Sequence, residues 1–188
     1  MDAQGTEREQ RVTPLELFFD LVVVFAFTQV TQLMSDNLTW RGLGRGLLAL
    51  AAIWWAWTGY AWLTNALEPE EGQVRAGMFG AMAAMLVVAL AVPGAFGADA
   101  VLFGVAYLLV LLLDLVLYAV AGRRDPDLFR ALLGFAPAAM GGAVCILVAG
   151  FIDGTPQTVL WVVGLAVLYG GALIGRGRGL RISPAHFA

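Results

Sequence analysis

Six apolar runs, each about the 20 residues a helix needs to cross hydrocarbon, leave this chain very few ways to fold. They lie at about 14–34, 43–65, 74–92, 100–121, 128–152 and 159–175. Backbone polar groups in lipid have to be satisfied within the segment, so runs of this kind read as helices. The expectation is an all-α fold: a polytopic membrane bundle of six transmembrane helices in a single domain. With 60% hydrophobic and 13% charged residues, no stretch is polar enough for a separate soluble domain.

The connections carry ordinary breakers. Ser35-Asp36-Asn37 closes the first run, Glu68-Pro69-Glu70-Glu71-Gly72 the second and Pro93-Gly94 the third. Gly122-Arg123-Arg124-Asp125-Pro126 and Asp153-Gly154-Thr155-Pro156 close the fourth and fifth. Pro137, followed by Gly141-Gly142, is expected to bend the fifth helix, and Gly171-x-x-x-Gly175 allows close helix approach in the sixth. The first eleven residues are polar and mixed in charge, unlike a cleavable leader, so a retained N-terminus is expected.

All eleven basic residues are arginine, and their positions set an orientation. Arg8, Arg11, Arg75, Arg123, Arg124, Arg130, Arg176, Arg178 and Arg181 flank span ends on one side, against only Arg41 and Arg45 on the other. Both termini are therefore expected in the cytoplasm. The arginines form no dedicated basic element, which argues against nucleic-acid binding. The single cysteine, Cys145, excludes an intrachain disulfide and reads as a small packing residue. No metal site or cofactor is expected, since the one histidine, His186, cannot build a histidine-based metal centre.

The residues that stand out are acids where lipid should be. Glu16 and Asp20 lie four apart on one face of the first span, and Asp114 lies within the fourth. Asp20 is about 9 Å from the cytoplasmic end of its span and Asp114 about 12 Å from the same boundary, so the two share a layer. A charged side chain at the centre of a membrane helix costs about 2.5–3.5 kcal/mol on insertion scales, and such residues face protein or water. Glu16, Asp20 and Asp114 are thus candidates for a proton or cation site. The plainer reading pairs them with Arg75, Arg130 or Arg176 as ties across the bundle. Phe19, Trp54, Trp57, Thr58, Tyr60, Trp62 and Asn65 are candidate pocket-lining residues, although tryptophan in such a cluster commonly belongs to an interfacial belt.

The segments LELFFDLVVVFAFTQVT and WWAWTGYAWLTN resemble the start of the bacterial low temperature requirement A (LtrA) family of membrane proteins. Glu16, Phe18, Phe19, Asp20, Trp57, Thr58, Tyr60 and Asn65 fall on that family's recurring pattern. The resemblance implies a multi-pass protein of the bacterial inner membrane, in contact with membrane lipids, and implies little chemistry. Members of the family are usually about twice as long, so this chain is expected to match the N-terminal half. A homodimer or a missing second half would then complete the structure. Val12 to Leu17 and Ile182 to Phe187 align in type, which places His186 where the first segment has Glu16.

Three functions are compatible with these residues. The first is a transporter or channel-like protein using the intramembrane carboxylates. The second is an intramembrane enzyme acting on a lipid or isoprenoid, with an acid as proton donor or as a ligand to magnesium and the tryptophans shielding a carbocation or tail. The third is a structural or assembly subunit.

Overall fold

A computed structural model describes residues 14–66, 72–123 and 126–179, which form six helices. They are α1 (Pro14–Ser35), α2 (Trp40–Ala66), α3 (Gly72–Ala91), α4 (Ala100–Gly122), α5 (Pro126–Ala149) and α6 (Thr155–Gly179). Each contains a stretch long and apolar enough to span a membrane. The side chains of Glu16, Asn65 and Arg176, and all of His186, lie outside the described residues.

Several helix ends differ from the apolar runs, because hydrogen bonding rather than hydropathy decides where a helix stops. The second helix begins at Trp40, three residues before its apolar run, since Thr39 Oγ1 accepts the Gly42 amide at 3.1 Å and so caps the first turn. The fifth helix stops at Ala149, where Gly150, Phe151 and Ile152 tighten into three-residue hydrogen-bonded turns. Gly154, at φ +80°, then turns the chain into α6, which starts at Thr155. Pro137 lies inside α5, and the helix continues through it.

Helix contacts define two four-membered rings with a common edge. The first ring runs α1, α2, α4, α3, and the second runs α2, α4, α5, α6. The shared pair α2/α4 is the centre of the molecule, and among the described residues α1 makes no contact with α4. Small residues bring the outer pairs close. A Cβ on Gly142 would lie 2.6 Å from the carbonyl oxygen of Gly164, and one on Gly171 would overlap Ala138, so α5 and α6 nearly touch backbone to backbone. Gly104 gives α4 the same closeness to α5, with Leu147 Cα at 2.7 Å from its would-be Cβ.

The turn between α3 and α4 is more than a link. Hydrogen bonds from Gly97 N and Asp99 N to Gly94 O fold it tightly, and Phe96 dips from it into the second ring. There Phe96 stacks on Trp161 of α6 at 4.6 Å between centroids, and Trp161 meets Phe103 of α4 at 5.0 Å. Phe103 stacks in turn on Tyr107 at 5.9 Å, so a column of rings fills the second ring from its far end toward its middle.

Candidate functional site

The seam between α2 and α4 holds the buried acid. Along α4, Phe103, Tyr107, Val110, Asp114 and Leu117 recur at alternating steps of four and three, which places them on one stripe, and all are buried. Asp114 is 6% exposed, and its Oδ1 is fully enclosed with no hydrogen-bond partner. Gly59 of α2 makes the room: a Cβ there would lie 2.9 Å from Asp114 Oδ2. Any larger residue at 59 would push into the carboxyl group.

Tyrosine hydroxyls surround this seam, and all four tyrosines of the chain donate to main-chain carbonyls of a neighbouring helix. Tyr60 donates to Val110 O at 2.9 Å, Tyr107 to Ala52 O at 3.0 Å, Tyr118 to Gly59 O at 3.3 Å and Tyr169 to Ala51 O at 3.0 Å. Each bond joins α2 to α4 or α6. The Tyr60 and Tyr118 bonds bracket Asp114, one at the carbonyl a turn before it and the other at the glycine it packs on. Tyr107, Tyr118 and Tyr169 were not among the expected site residues. Their sequence signal is modest: Tyr107 and Tyr118 stand seven before and four after Asp114, on its own stripe.

Asp20 has a different setting. It is exposed, and its Oδ1 accepts the indole N–H of Trp57 at 2.9 Å. Trp57 and Gly59 are two residues apart on α2, which is about 3 Å of rise but about 200° of rotation. The two acids thus lie at nearly the same level on nearly opposite faces of α2, Asp20 on the α1 side and Asp114 on the α4 side. The structure brings them to one layer and does not bring them into one cavity. Tyr60 links the two sides, with its ring 4.8 Å from that of Phe19 on α1 and its hydroxyl on α4.

The aromatic candidates divide by face. Phe19 and Tyr60 are core residues, whereas Trp54 is half exposed and Trp62 points outward at 62% exposure, as belt residues do. Trp54 and Trp57 lie against each other at 5.0 Å, and Thr58 donates to its own helix at Trp54 O. Arg75 is exposed, with its guanidinium over the Phe79 ring at 5.9 Å, and Arg130 is exposed on α5. Neither Asp20 nor Asp114 pairs with an arginine among the described residues, because α2 supplies what each acid meets: an indole for one, a glycine for the other.

Among the described residues no three histidine, cysteine, aspartate or glutamate side chains gather as a metal would require. An open depression of about 380 Å³ lies at the α1–α2 turn, lined by Met34, Leu38, Trp40 and Leu43 with Asn37 and Thr39. It is mostly apolar and lies at the end of the bundle away from both acids.

Comparison with known proteins gives a family. Residues 11–188 match the family described as bacterial low temperature requirement A protein (LtrA). An uncharacterized protein of Rhizobium meliloti (strain 1021) is 32% identical over 172 residues, covering 91% of this chain and 42% of its own length. The chain thus spans less than half the length of that relative, and no solved structure matches it significantly. The chain is a multi-pass membrane protein that belongs to the bacterial LtrA family.

Proposed function

We propose that the protein is a transporter or channel-like protein of the bacterial inner membrane in which Asp114 is an intramembrane proton or cation site. The observation that carries this is a carboxyl group in the central seam, 6% exposed, with one oxygen enclosed and unpartnered. A buried polar atom without a partner costs about 1–3 kcal/mol, a cost that function can justify and packing alone does not. Asp20, accepting from Trp57 at the same level on the α1 side of α2, is a second, exposed acid of the proposed site, and Glu16, four residues before it in the sequence, completes the set. The bias of arginines toward one set of span ends supports cytoplasmic termini, and hence an acid layer in the cytoplasmic half.

The test is flux in vesicles reconstituted with purified protein. With a pH dye inside and an imposed potassium diffusion potential, wild-type vesicles should move protons or sodium faster than empty ones. Asp114→Asn should abolish that movement, whereas Asp20→Asn should slow it only in part. Undiminished flux with Asp114→Asn would remove this residue from the mechanism. The four tyrosine-to-carbonyl bonds favour a second reading, a structural or assembly subunit, because they lock α2 to its neighbours. Wild-type vesicles no leakier than empty ones would decide for it.

A further inference from the structure

The polar groups that border Asp114 are already engaged. The carbonyl oxygen of Val110, one turn before it, accepts the main-chain N–H of Asp114 in the helical pattern and also the Tyr60 hydroxyl at 2.9 Å. The carbonyl oxygen of Gly59, on which the carboxyl group packs, accepts the Leu63 N–H and also the Tyr118 hydroxyl at 3.3 Å. A carbonyl oxygen has two lone pairs, so neither has one left. The Thr58 hydroxyl, beside Gly59, turns to its own helix at Trp54 O. The titratable groups within electrostatic reach of Asp114 are the phenols of Tyr60, Tyr107 and Tyr118. From α3, Gly77 and Gly80 meet Leu117 and Leu113, and from α5, Phe129 and Phe135 meet Gly122 and Tyr118. The charged side chains described on those two helices, Arg75 and Arg130, are exposed.

We infer, on the reading of Asp114 as an ion site, that the ion is a proton and not a metal cation, and that Tyr60 and Tyr118 enforce the choice by occupying the carbonyl oxygens a cation would need. A cation stripped of water needs several oxygens at once, about six for magnesium and about six to eight for calcium, at about 2.0–2.6 Å. The seam offers the two oxygens of one carboxylate, with Oδ1 enclosed and Oδ2 packed on Gly59. A proton needs no such shell. It forms one O–H bond on the carboxyl group, coming from water and returning to water, and the neutral acid tolerates an unpartnered oxygen far better than the anion does. Replacing either phenol by a phenyl ring frees one lone pair on a carbonyl beside the carboxyl group, which is the change that should admit a cation.

Infrared absorption of the purified protein in lipid nanodiscs reads the proton directly. At neutral pH, wild type should show the carbonyl stretch of a neutral carboxylic acid, shifted in D2O, which Asp114→Asn lacks and Asp20→Asn keeps. Gly59→Ala, which crowds the carboxyl group, should shift that band without removing it. At fixed pH and ionic strength, exchanging choline chloride for sodium, potassium or magnesium chloride should leave the wild-type band unchanged. The same exchange should diminish the band in the Tyr60→Phe, Tyr118→Phe double variant. A wild-type band that fades with any of these cations, or no band assignable to Asp114, would overturn the proton assignment. A double variant as indifferent to cations as wild type would overturn the role given to the two tyrosines. Vesicles that move no protons while the Asp114 band is present would decide against transport without touching the proton assignment, so the two readings fail separately.

Discussion

Two adjacent glycine pairs offer a sharp test of the α5–α6 packing. In Gly141-Gly142, a methyl group on Gly141 would meet only Val167, at 3.8 Å, whereas one on Gly142 would stand 2.6 Å from Gly164 O and run into Leu168. In Gly170-Gly171, a methyl on Gly170 meets nothing within 4 Å, whereas one on Gly171 overlaps Ala138. Alanine in a helix is favoured over glycine by about 1 kcal/mol, so Gly141→Ala and Gly170→Ala should be neutral to stabilising. Gly142→Ala forces a main-chain oxygen away by most of an ångström and cannot be relieved by a rotamer change. Overpacking of that kind costs about 1–3 kcal/mol, and because the propensity gain is common to both substitutions, the two members of each pair should differ by about 1–3 kcal/mol. Reversible unfolding in mixed micelles, titrated with denaturing detergent, measures the difference directly. Equal midpoints for Gly141→Ala and Gly142→Ala would refute the backbone contact between α5 and α6.

Three further outcomes follow from the seam. Gly59→Ala should couple to Asp114 in a double-mutant cycle: destabilising or neutral in wild type, stabilising by about 1 kcal/mol in an Asp114→Ala background, as read from unfolding midpoints. Tyr107→Phe and Tyr118→Phe should each cost about 0.5–1.5 kcal/mol in the same assay, because the acceptor carbonyls keep their own helical hydrogen bonds and none is orphaned. Trp57→Phe should cost under about 1 kcal/mol, since its bond to Asp20 is exposed, and it should lower flux no more than Asp20→Asn does.

The six spans were legible because lipid permits few alternatives to an apolar helix, and the misjudged ends were those decided by local hydrogen bonds. Trp40 to Gly46 carries two arginines and three glycines, so hydropathy placed the start of α2 too late, while the Thr39 cap set it earlier. The acids were legible for the same reason that they are unusual: charge inside an apolar run. Their partners were not, since the outcome turned on which faces of α2 carry residues 57 and 59, and one span cannot reveal its own neighbours. Arg45 was counted only as an orientation charge, because nothing in its sequence context shows that it tucks over Phe96. Phe96 gave no signal, since it sits in a turn, where polar and apolar residues are equally ordinary.

The tyrosine contacts carry a consequence for how this protein can vary over time. A carbonyl oxygen is present at every position of a helix, so the accepting half of each contact is supplied by the peptide chain whatever amino acid is there. Mutational drift at residues 51, 52 and 59 is then limited by bulk alone, while each phenol ring is irreplaceable by any side chain of different reach. Homologues should therefore exchange alanine, glycine and serine freely at 51 and 52, keep glycine at 59 wherever an aspartate stands at 114, and keep rings with a hydroxyl at 60, 107, 118 and 169.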